Sequence, residues 1–156
     1  MGTRLMIWLM RCLAHLPLTW VRALGWLLGK GLYVGVGSRR RVVQTNLRLC
    51  FPSMDAAQRQ ALSRRVFVCF AQAWLDRSWL WHGSPDTVRQ RLTISGAVGE
   101  LAGADPVVIF APHFVGMDAG GTALIQQLPR RITSIYTNQS NKVADAWILQ
   151  GRQRFG

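Results

Sequence analysis

The fold prediction rests on one stretch of sequence, Pro106-Val-Val-Ile-Phe-Ala111-Pro-His113-Phe-Val-Gly116-Met-Asp118. Its first six residues form a short apolar run with β-branched side chains, which is typical of a buried parallel strand. A helical pattern comes next, over residues 116–128. Because a strand joined directly to a helix is the repeating unit of α/β domains, this stretch predicts an α/β fold with a parallel sheet.

The same alternation continues on both sides of this stretch. Residues 92–94 predict a short strand and residues 98–102 a helical turn. Further along, residues 132–137 predict another strand, and residues 142–154 predict a helix with Asn141 as its cap. We therefore expect a partial parallel sheet with crossover helices.

The first third of the chain differs in charge from the rest. The 156 residues carry a net charge of +12, from 19 Lys and Arg against 7 Asp and Glu, and no acid precedes Asp55. A hydrophobic fraction of 49% excludes a disordered basic tail. An apolar, basic, acid-free segment predicts contact with anionic membrane lipid. Nucleic acid is the alternative partner, and we rank it lower because the Arg residues lie among Trp and Leu.

Residues 1–38 predict membrane-anchor helices. Apolar residues from Leu5 to Leu16 have helical spacing, and Pro17 kinks this helix or opens a second one. Glycines spaced through residues 25–37 allow helices to approach closely. We expect these helices to lie in one leaflet, or to span the bilayer with snorkelling Arg side chains, the alternative being a buried helix pair. By the positive-inside rule, the Arg run at 39–41 places the chain from residue 39 onward in the cytoplasm.

A basic linker over residues 39–52 leads into a long helix. Pro52 ends the linker, and a helical pattern over residues 54–82 comes after it, with Ser53 as the predicted N-cap. Gly83 and Pro85 stop this helix. Its last residue is His82, where a cationic ring would suit the helix dipole.

His113 and Asp118 are the strongest candidates for catalysis. His113 lies just after the predicted central strand, and ligand crevices of α/β sheets lie at the carboxyl ends of strands. A neutral imidazole takes a proton from a hydroxyl near pH 7, and Asp118 could accept from its other ring nitrogen. No Ser or Cys lies between them, so the base would act directly on a substrate hydroxyl. The alternative is a structural pair, with Asp118 capping the helix.

Several segments in order resemble the lipid A biosynthesis acyltransferases, the late lauroyl and myristoyl transferases within the wider lysophospholipid acyltransferase group. The resemblance is carried by the N-terminal anchor with its basic flank and by the apolar strand that runs into His113-Phe114 and Asp118. It is also carried by Asn46-Leu47 with Cys50-Phe51-Pro52, and by the segment from Ser134-Ile-Tyr136 to Gly151-Arg152-Gln-Arg154-Phe-Gly156. The resemblance covers essentially the whole chain and implies a glycerolipid acyltransferase-like fold.

The resemblance implies transfer of an acyl chain from an acyl carrier protein, as its thioester, to a hydroxyl of a lipid A precursor. In this HX4D motif His113 would be the general base and Asp118 its partner, although many close relatives carry Glu at that position. Gly116, Arg152 and Arg154 would bind substrate, the arginines through phosphate. No metal and no cofactor is implied. The expected location is the cytoplasmic side of the bacterial inner membrane.

Family members continue past the position of Gly156. Residues 53–156 are therefore predicted to be the N-terminal portion of a truncated acyltransferase domain, and the 156-residue chain alone is expected to be inactive. Two alternatives to the lipid A reaction stay open on the sequence. One is an acyltransferase that acts on a lysophospholipid or another glycolipid, and the other is a non-catalytic membrane-surface protein.

Overall fold

The computed structural model describes residues 1–101, 103–128 and 130–156, and the regular structure of these residues is entirely helical. They divide into two compact units, residues 17–75 and residues 1–16 with 76–156. The helices are α1 (Gly2–Leu13), α2 (Leu18–Gly35), α3 (Gly37–Cys50), α4 (Ala56–His82), α5 (Pro85–Arg91), a 3₁₀ turn (Val98–Leu101), α6 (Met117–Gln127) and α7 (Lys142–Arg152).

The predicted α/β fold with a parallel sheet is wrong. Residues 92–94, 106–111 and 132–137 form no strand, and no β-ladder occurs in the described part of the chain. An apolar run predicts burial, but a sheet also needs a second run within hydrogen-bonding distance to satisfy its backbone groups. The side chains of the supposed central strand are exposed instead: Val108 is 95% exposed and Phe110 93%.

The predicted helices are largely confirmed. Helices α6 and α7 lie within two residues of the predicted bounds, and the 3₁₀ turn covers residues 98–101 of the predicted 98–102, with Ala102 outside the described residues. Pro17 does open a second helix, because α2 begins at Leu18. Of the two predicted forms of the anchor, the bilayer-spanning one is wrong for these residues, since none of their helices combines the length and the hydropathy that a bilayer crossing requires. The form that lies in one leaflet stays a prediction.

The unit of residues 17–75 is built on a close approach of α2 to α4. A Cβ atom placed on Gly29 would lie 2.5 Å from the Cα atom of Val68, so only glycine fits there. The rings of Tyr33 and Phe67 meet edge to face, with centroids 5.5 Å apart. Gly25 and Gly29 thus serve helix packing, as predicted, whereas Gly31 and Gly35 of the same helix have open space at the Cβ position.

Helix α4 is capped by Asp55 and not by Ser53 as predicted. The Asp55 carboxylate accepts the Gln58 backbone N–H at 2.8 Å, while the Gln58 side chain accepts the Asp55 N–H at 3.3 Å. This reciprocal pair is a capping box, which the sequence Asp-x-x-Gln provides. At the other end, α4 stops at His82 as expected, and Ser84 caps α5 through the Thr87 N–H.

The unit of residues 1–16 and 76–156 packs around the end of α4. Its buried side chains include Met10 of α1, Leu80 and Trp81 of α4, Val88 of α5 and Trp147 of α7. Each of these side chains is at most 5% exposed. Helix α7 lies against both α1 and α6. The predicted division into an anchor (1–38), a basic linker (39–52) and a transferase portion (53–156) stays a prediction.

The packing of α2 against α4 yields a stability prediction. Gly29→Ala should lower the free energy of unfolding by about 1–3 kcal/mol, because the added methyl group meets backbone atoms that cannot yield. Gly31→Ala is the matched control in the same helix, since no atom lies within 4 Å of its Cβ position. It should stabilise by about 0.5–1 kcal/mol through helix propensity.

The measurement is urea unfolding monitored by far-ultraviolet circular dichroism. If Gly29→Ala unfolds at the same urea concentration as the unchanged protein, the close approach of α2 to α4 is absent in solution.

Candidate active site

The turn before α6 carries the two predicted catalytic residues. The Phe114 N–H donates to the Pro112 carbonyl at 2.8 Å, so the chain makes a three-residue turn at His113. Gly116 then adopts a positive φ of 91° as the N-cap of α6, a conformation that favours glycine. Asp118 lies in the first turn of α6, where the helix dipole stabilises a negative charge.

Asp118 is held by two arginines. Its Oδ2 accepts from Arg77 Nε at 2.8 Å, and its Oδ1 accepts from Arg152 Nε at 2.9 Å. The Asp118 side chain is 12% exposed, against 23% for Arg77 and 40% for Arg152. Because each oxygen accepts from a guanidinium, the largely buried negative charge is paired with positive charge on both sides.

His113 is exposed and stands apart from this arrangement. The predicted hydrogen bond from its ring to Asp118 does not occur among the contacts of the described residues, where the carboxylate bonds to the two arginines. The structure thus brings together Asp118 and Arg152 but leaves His113 on the neighbouring turn. The assignment of base and partner stays a prediction.

Arg77 is the residue of this cluster that sequence reasoning missed. It lies in α4 between Asp76 and Ser78, in a stretch otherwise rich in Trp and Leu, and its guanidinium carbon is 5.3 Å from the centre of the Trp81 ring. A cation among buried aromatic residues needs a counterion, which is a signal that the sequence does contain. What the sequence lacks is the identity of the partner, 41 residues away.

Arg154, the other predicted phosphate ligand, lies at the end of α4. It donates to the backbone carbonyl of Leu80 at 3.0 Å and to that of Gly83. These groups lie at the end of a helix, where carbonyls lack intrahelical partners. Burial lowers the pKa of the guanidinium. Arg154 therefore caps α4, a role separate from that of Arg152 at Asp118.

A cleft of about 380 Å³ opens beside this cap. The Trp81 and Trp147 rings meet edge to face in it, with centroids 4.6 Å apart. The close contact is possible because residue 151 is glycine: a Cβ there would lie 2.2 Å from the Trp81 ring. The side chains that line the cleft include Arg11, Trp81, His82, Trp147, Gln150 and Arg154.

His82 is neutral in this cleft, so the cationic ring expected at the end of α4 is wrong. Its Nε2 accepts from Trp147 Nε1 at 3.0 Å, which requires that nitrogen to be unprotonated. The pKa of His82 is lowered from 6.5, first by burial and then by the charges of Arg11 and Arg154. The ring proton is therefore on Nδ1.

Asp145 anchors the segment before α7. Its carboxylate accepts from the Tyr136 hydroxyl and from the Gln139 backbone N–H, both at 2.6 Å. These two hydrogen bonds lower the pKa of Asp145, and the first raises the pKa of Tyr136. Arg152 in turn lies over the Tyr136 ring at 5.3 Å. Across residues 1–101, 103–128 and 130–156, no group of three or more His, Cys, Asp or Glu side chains could hold a metal ion.

The ion pairs of Asp118 predict the effect of removing Arg77. Arg77→Gln should lower the free energy of unfolding by about 1.5–3 kcal/mol, because a hydrogen bond to a charged group is lost while the carboxylate stays largely buried. Arg89→Gln, at an exposed position of α5, is the charge-matched control and should change stability little. Equal unfolding midpoints in urea for the two variants would show that the Arg77 contact contributes nothing.

The lowered pKa of His82 predicts a pH dependence of stability. At pH values between the pKa of His82 in the folded protein and 6.5, its value in the unfolded chain, the unfolded chain binds a proton that the folded protein excludes. The contribution of neutral His82 is therefore complete above about pH 6.5 and is lost as the pH falls towards the folded value. Urea unfolding between about pH 7.5 and about pH 5.5 measures this loss.

Two variants test whether His82 causes this loss of stability as the pH falls. His82→Gln should make the free energy of unfolding less dependent on pH, since glutamine can still accept from Trp147 but does not titrate. His15→Gln, on the exposed surface at the end of α1, should retain the pH dependence. An unchanged pH dependence in His82→Gln would contradict the assignment.

Comparison with known proteins shows which family the chain resembles. The sequence profile described as bacterial lipid A biosynthesis acyltransferase matches residues 1–156. The lipid A biosynthesis myristoyltransferase of Escherichia coli (strain K12) is 30% identical over 126 residues, which cover 79% of this chain and 38% of the relative. Lipid A biosynthesis acyltransferase 1 of Shigella flexneri is also 30% identical over 126 residues, with the same coverage.

A third relative is the lipid A biosynthesis acyltransferase of Haemophilus influenzae (strain ATCC 51907 / DSM 11121 / KW20 / Rd), 26% identical over 132 residues, or 83% of this chain and 41% of the relative. The chain thus spans about two fifths of the length of the curated relatives it matches. No solved structure matches it. Since the family profile covers every residue from 1 to 156, the chain belongs to the bacterial lipid A biosynthesis acyltransferase family.

Proposed function

We propose that the protein is an O-acyltransferase of lipid A biosynthesis, which transfers a fatty acyl chain from an acyl carrier protein thioester to a hydroxyl of a lipid A precursor. The observation that carries this proposal is the match of the family profile over the whole chain. His113 and Asp118, the pair expected to perform the chemistry, lie in the turn that opens α6 and in the first turn of that helix.

In the proposed reaction His113 is the general base. Its imidazole removes the proton of the acceptor hydroxyl while the oxygen attacks the thioester carbonyl carbon. The new C–O bond forms, the C–S bond breaks, and the imidazolium returns the proton to the departing thiolate. The exposure of His113 supports this role, because the base must reach a substrate that arrives from outside.

Asp118 is the proposed partner of His113. An ionised carboxylate offers about four lone-pair positions, and the two arginines use one on each oxygen. Acceptor positions on Asp118 therefore remain for a third donor, the proposed role of the His113 ring. Catalytic hydrogen bonds are often open until substrate is bound, so closure of the turn at His113 would complete the pair.

Gly116 supplies the proposed oxyanion site. Attack on a thioester places negative charge on the carbonyl oxygen, which needs preorganised donors. The first N–H groups of a helix have no intrahelical acceptor, and α6 begins directly after Gly116. The N–H groups at this helix start are the proposed donors, close in sequence to both His113 and Asp118.

The proposed location is the cytoplasmic side of the bacterial inner membrane, with anionic lipid as a partner. Helix α1 buries Met10 but exposes Leu5, Trp8 and Leu9, so it has one face for packing and a second apolar face left over. Arg4 and Arg11 are exposed on another side of the same helix, and such a combination of apolar and basic faces is typical of helices that lie on anionic lipid. The net charge of +12 also suits an acidic carrier protein as donor, through electrostatic steering.

Mass spectrometry of lipid A tests the proposal. In cells whose gene carries His113→Ala, the lipid A that lacks one acyl chain should accumulate, because loss of a general base slows transfer by about 10²–10⁴-fold. His15→Ala is the control, since this exposed histidine lies outside the proposed site. It should leave the lipid A pattern unchanged.

Two results would contradict the proposal in different ways. Unchanged lipid A in the His113→Ala cells would show that this histidine is not the general base. The second result is unchanged lipid A, together with altered phospholipids, in cells that lack the gene. That result would show that the acceptor is a lysophospholipid or another glycolipid and not a lipid A precursor.

A further inference from the structure

Arg77 is a charged side chain of the candidate site to which the proposed reaction gives no role. It lies near the end of α4, and its Nε donates to Asp118 Oδ2 at 2.8 Å. Its guanidinium carbon is 5.3 Å from the centre of the Trp81 ring, which is a cation–π distance. The Trp81 ring is 5% exposed and packs edge to face on Trp147. Arg77 is therefore held on two sides and is not a freely rotating surface side chain.

Arg152 bonds to the other oxygen of the same carboxylate. Its Nε donates to Asp118 Oδ1 at 2.9 Å, and its guanidinium carbon is 5.3 Å from the centre of the Tyr136 ring. Each oxygen thus accepts from an arginine that lies over an aromatic ring. The Arg77 side chain is 23% exposed and that of Arg152 is 40% exposed, so Arg77 is the more buried of the two.

The backbone of Asp118 is fixed as well. Its carbonyl accepts from the hydroxyl of Thr122, a buried residue, at 2.8 Å. An aspartate carboxylate otherwise turns easily about its last bond, because that torsion has broad preferences. Since the two oxygens are bonded to arginines of different helices, α4 and α7, this freedom is lost and the plane of the carboxylate is set.

The plane of the carboxylate decides the directions from which a further donor can approach, because hydrogen bonds to an sp² oxygen lie near that plane. Asp118 is 12% exposed, and it cannot turn towards another donor without breaking an ion pair. In the proposed function the further donor is the His113 ring. The orientation of that ring would then depend on how the carboxylate is held.

We propose that Arg77 is a positioning residue for acyl transfer, which acts through Asp118 by fixing the carboxylate that orients the His113 ring. This inference rests on the proposed function. The Arg77 guanidinium keeps its proton throughout the reaction, since arginine is not deprotonated in proteins. Arg77 therefore affects the rate only through the placement of Asp118.

Steady-state kinetics of the purified full-length gene product in detergent test this role. Acyl carrier protein thioesters of decanoic to palmitic acid serve as donors, and a lipid A precursor serves as acceptor. Arg77→Gln should lower kcat by about tenfold to about 10²-fold, because misplacement of a catalytic group slows the chemical step. The KM of both substrates should stay unchanged, since Arg77 touches neither of them. An arginine that only stabilises the fold would change neither parameter in folded enzyme.

Two further variants serve as controls, and circular dichroism at the assay temperature verifies that each variant is folded. Arg77→Lys keeps the charge but lacks the planar guanidinium, so its kcat should lie between those of the unchanged protein and Arg77→Gln. Arg89→Gln removes the same charge from an exposed position of α5 and should leave kcat unchanged. If Arg77→Gln does not fold, a kcat of Arg77→Lys equal to that of the unchanged protein would overturn the proposal.

The proposal is also overturned if Arg77→Gln keeps the kcat of the unchanged protein, or if only its KM rises, which would make Arg77 a substrate ligand. These failures differ from a failure of the proposed function. If the unchanged protein transfers no acyl chain to the lipid A precursor from any donor, the proposed function is rejected and this inference with it. Transfer that His113→Ala abolishes and Arg77→Gln does not slow rejects this inference alone.

Discussion

The carboxylate of Asp118 is the point at which three helices meet. It belongs to α6 and accepts from Arg77 of α4 and Arg152 of α7. A carboxylate that is 12% exposed would be costly without partners, so each arginine is required by the burial of the charge. The ion pairs thus join the first turn of α6 to α4 and to the last turn of α7.

Aromatic packing also joins α4 to α7, the two helices that carry the arginines. Trp81 of α4 and Trp147 of α7 lie edge to face, and the Trp147 indole donates to His82 at the end of α4. This contact exists only because Gly151 leaves room for the Trp81 ring. Apolar packing thus sets the distance between α4 and α7, while the ion pairs at Asp118 set the position of α6 against them.

The local features of the chain were predictable from its sequence. Pro17, Gly83 and Asn141 mark helix ends because each acts on its own backbone neighbours, and the structure confirms all three. The absence of a sheet was not predictable in this way. An apolar run such as residues 106–111 reports only that its side chains avoid water, whereas a strand requires a neighbour in register. In the described residues the run has no such neighbour, and Phe110 is exposed.

Residue type and local spacing were enough to predict most helix ends, the excess of positive charge and the order of motifs that carries the family resemblance. They did not predict α3, which occupies most of the segment expected to be a linker. The partners of the charged groups follow from the tertiary fold alone. It placed Arg77 and Arg152 on Asp118, and Arg154 on the end of α4. It also made His82 neutral, because burial and two nearby arginines act on a ring whose surroundings come from distant parts of the chain. Burial and charge pairing are properties of three-dimensional neighbours, and the linear order of residues does not specify them.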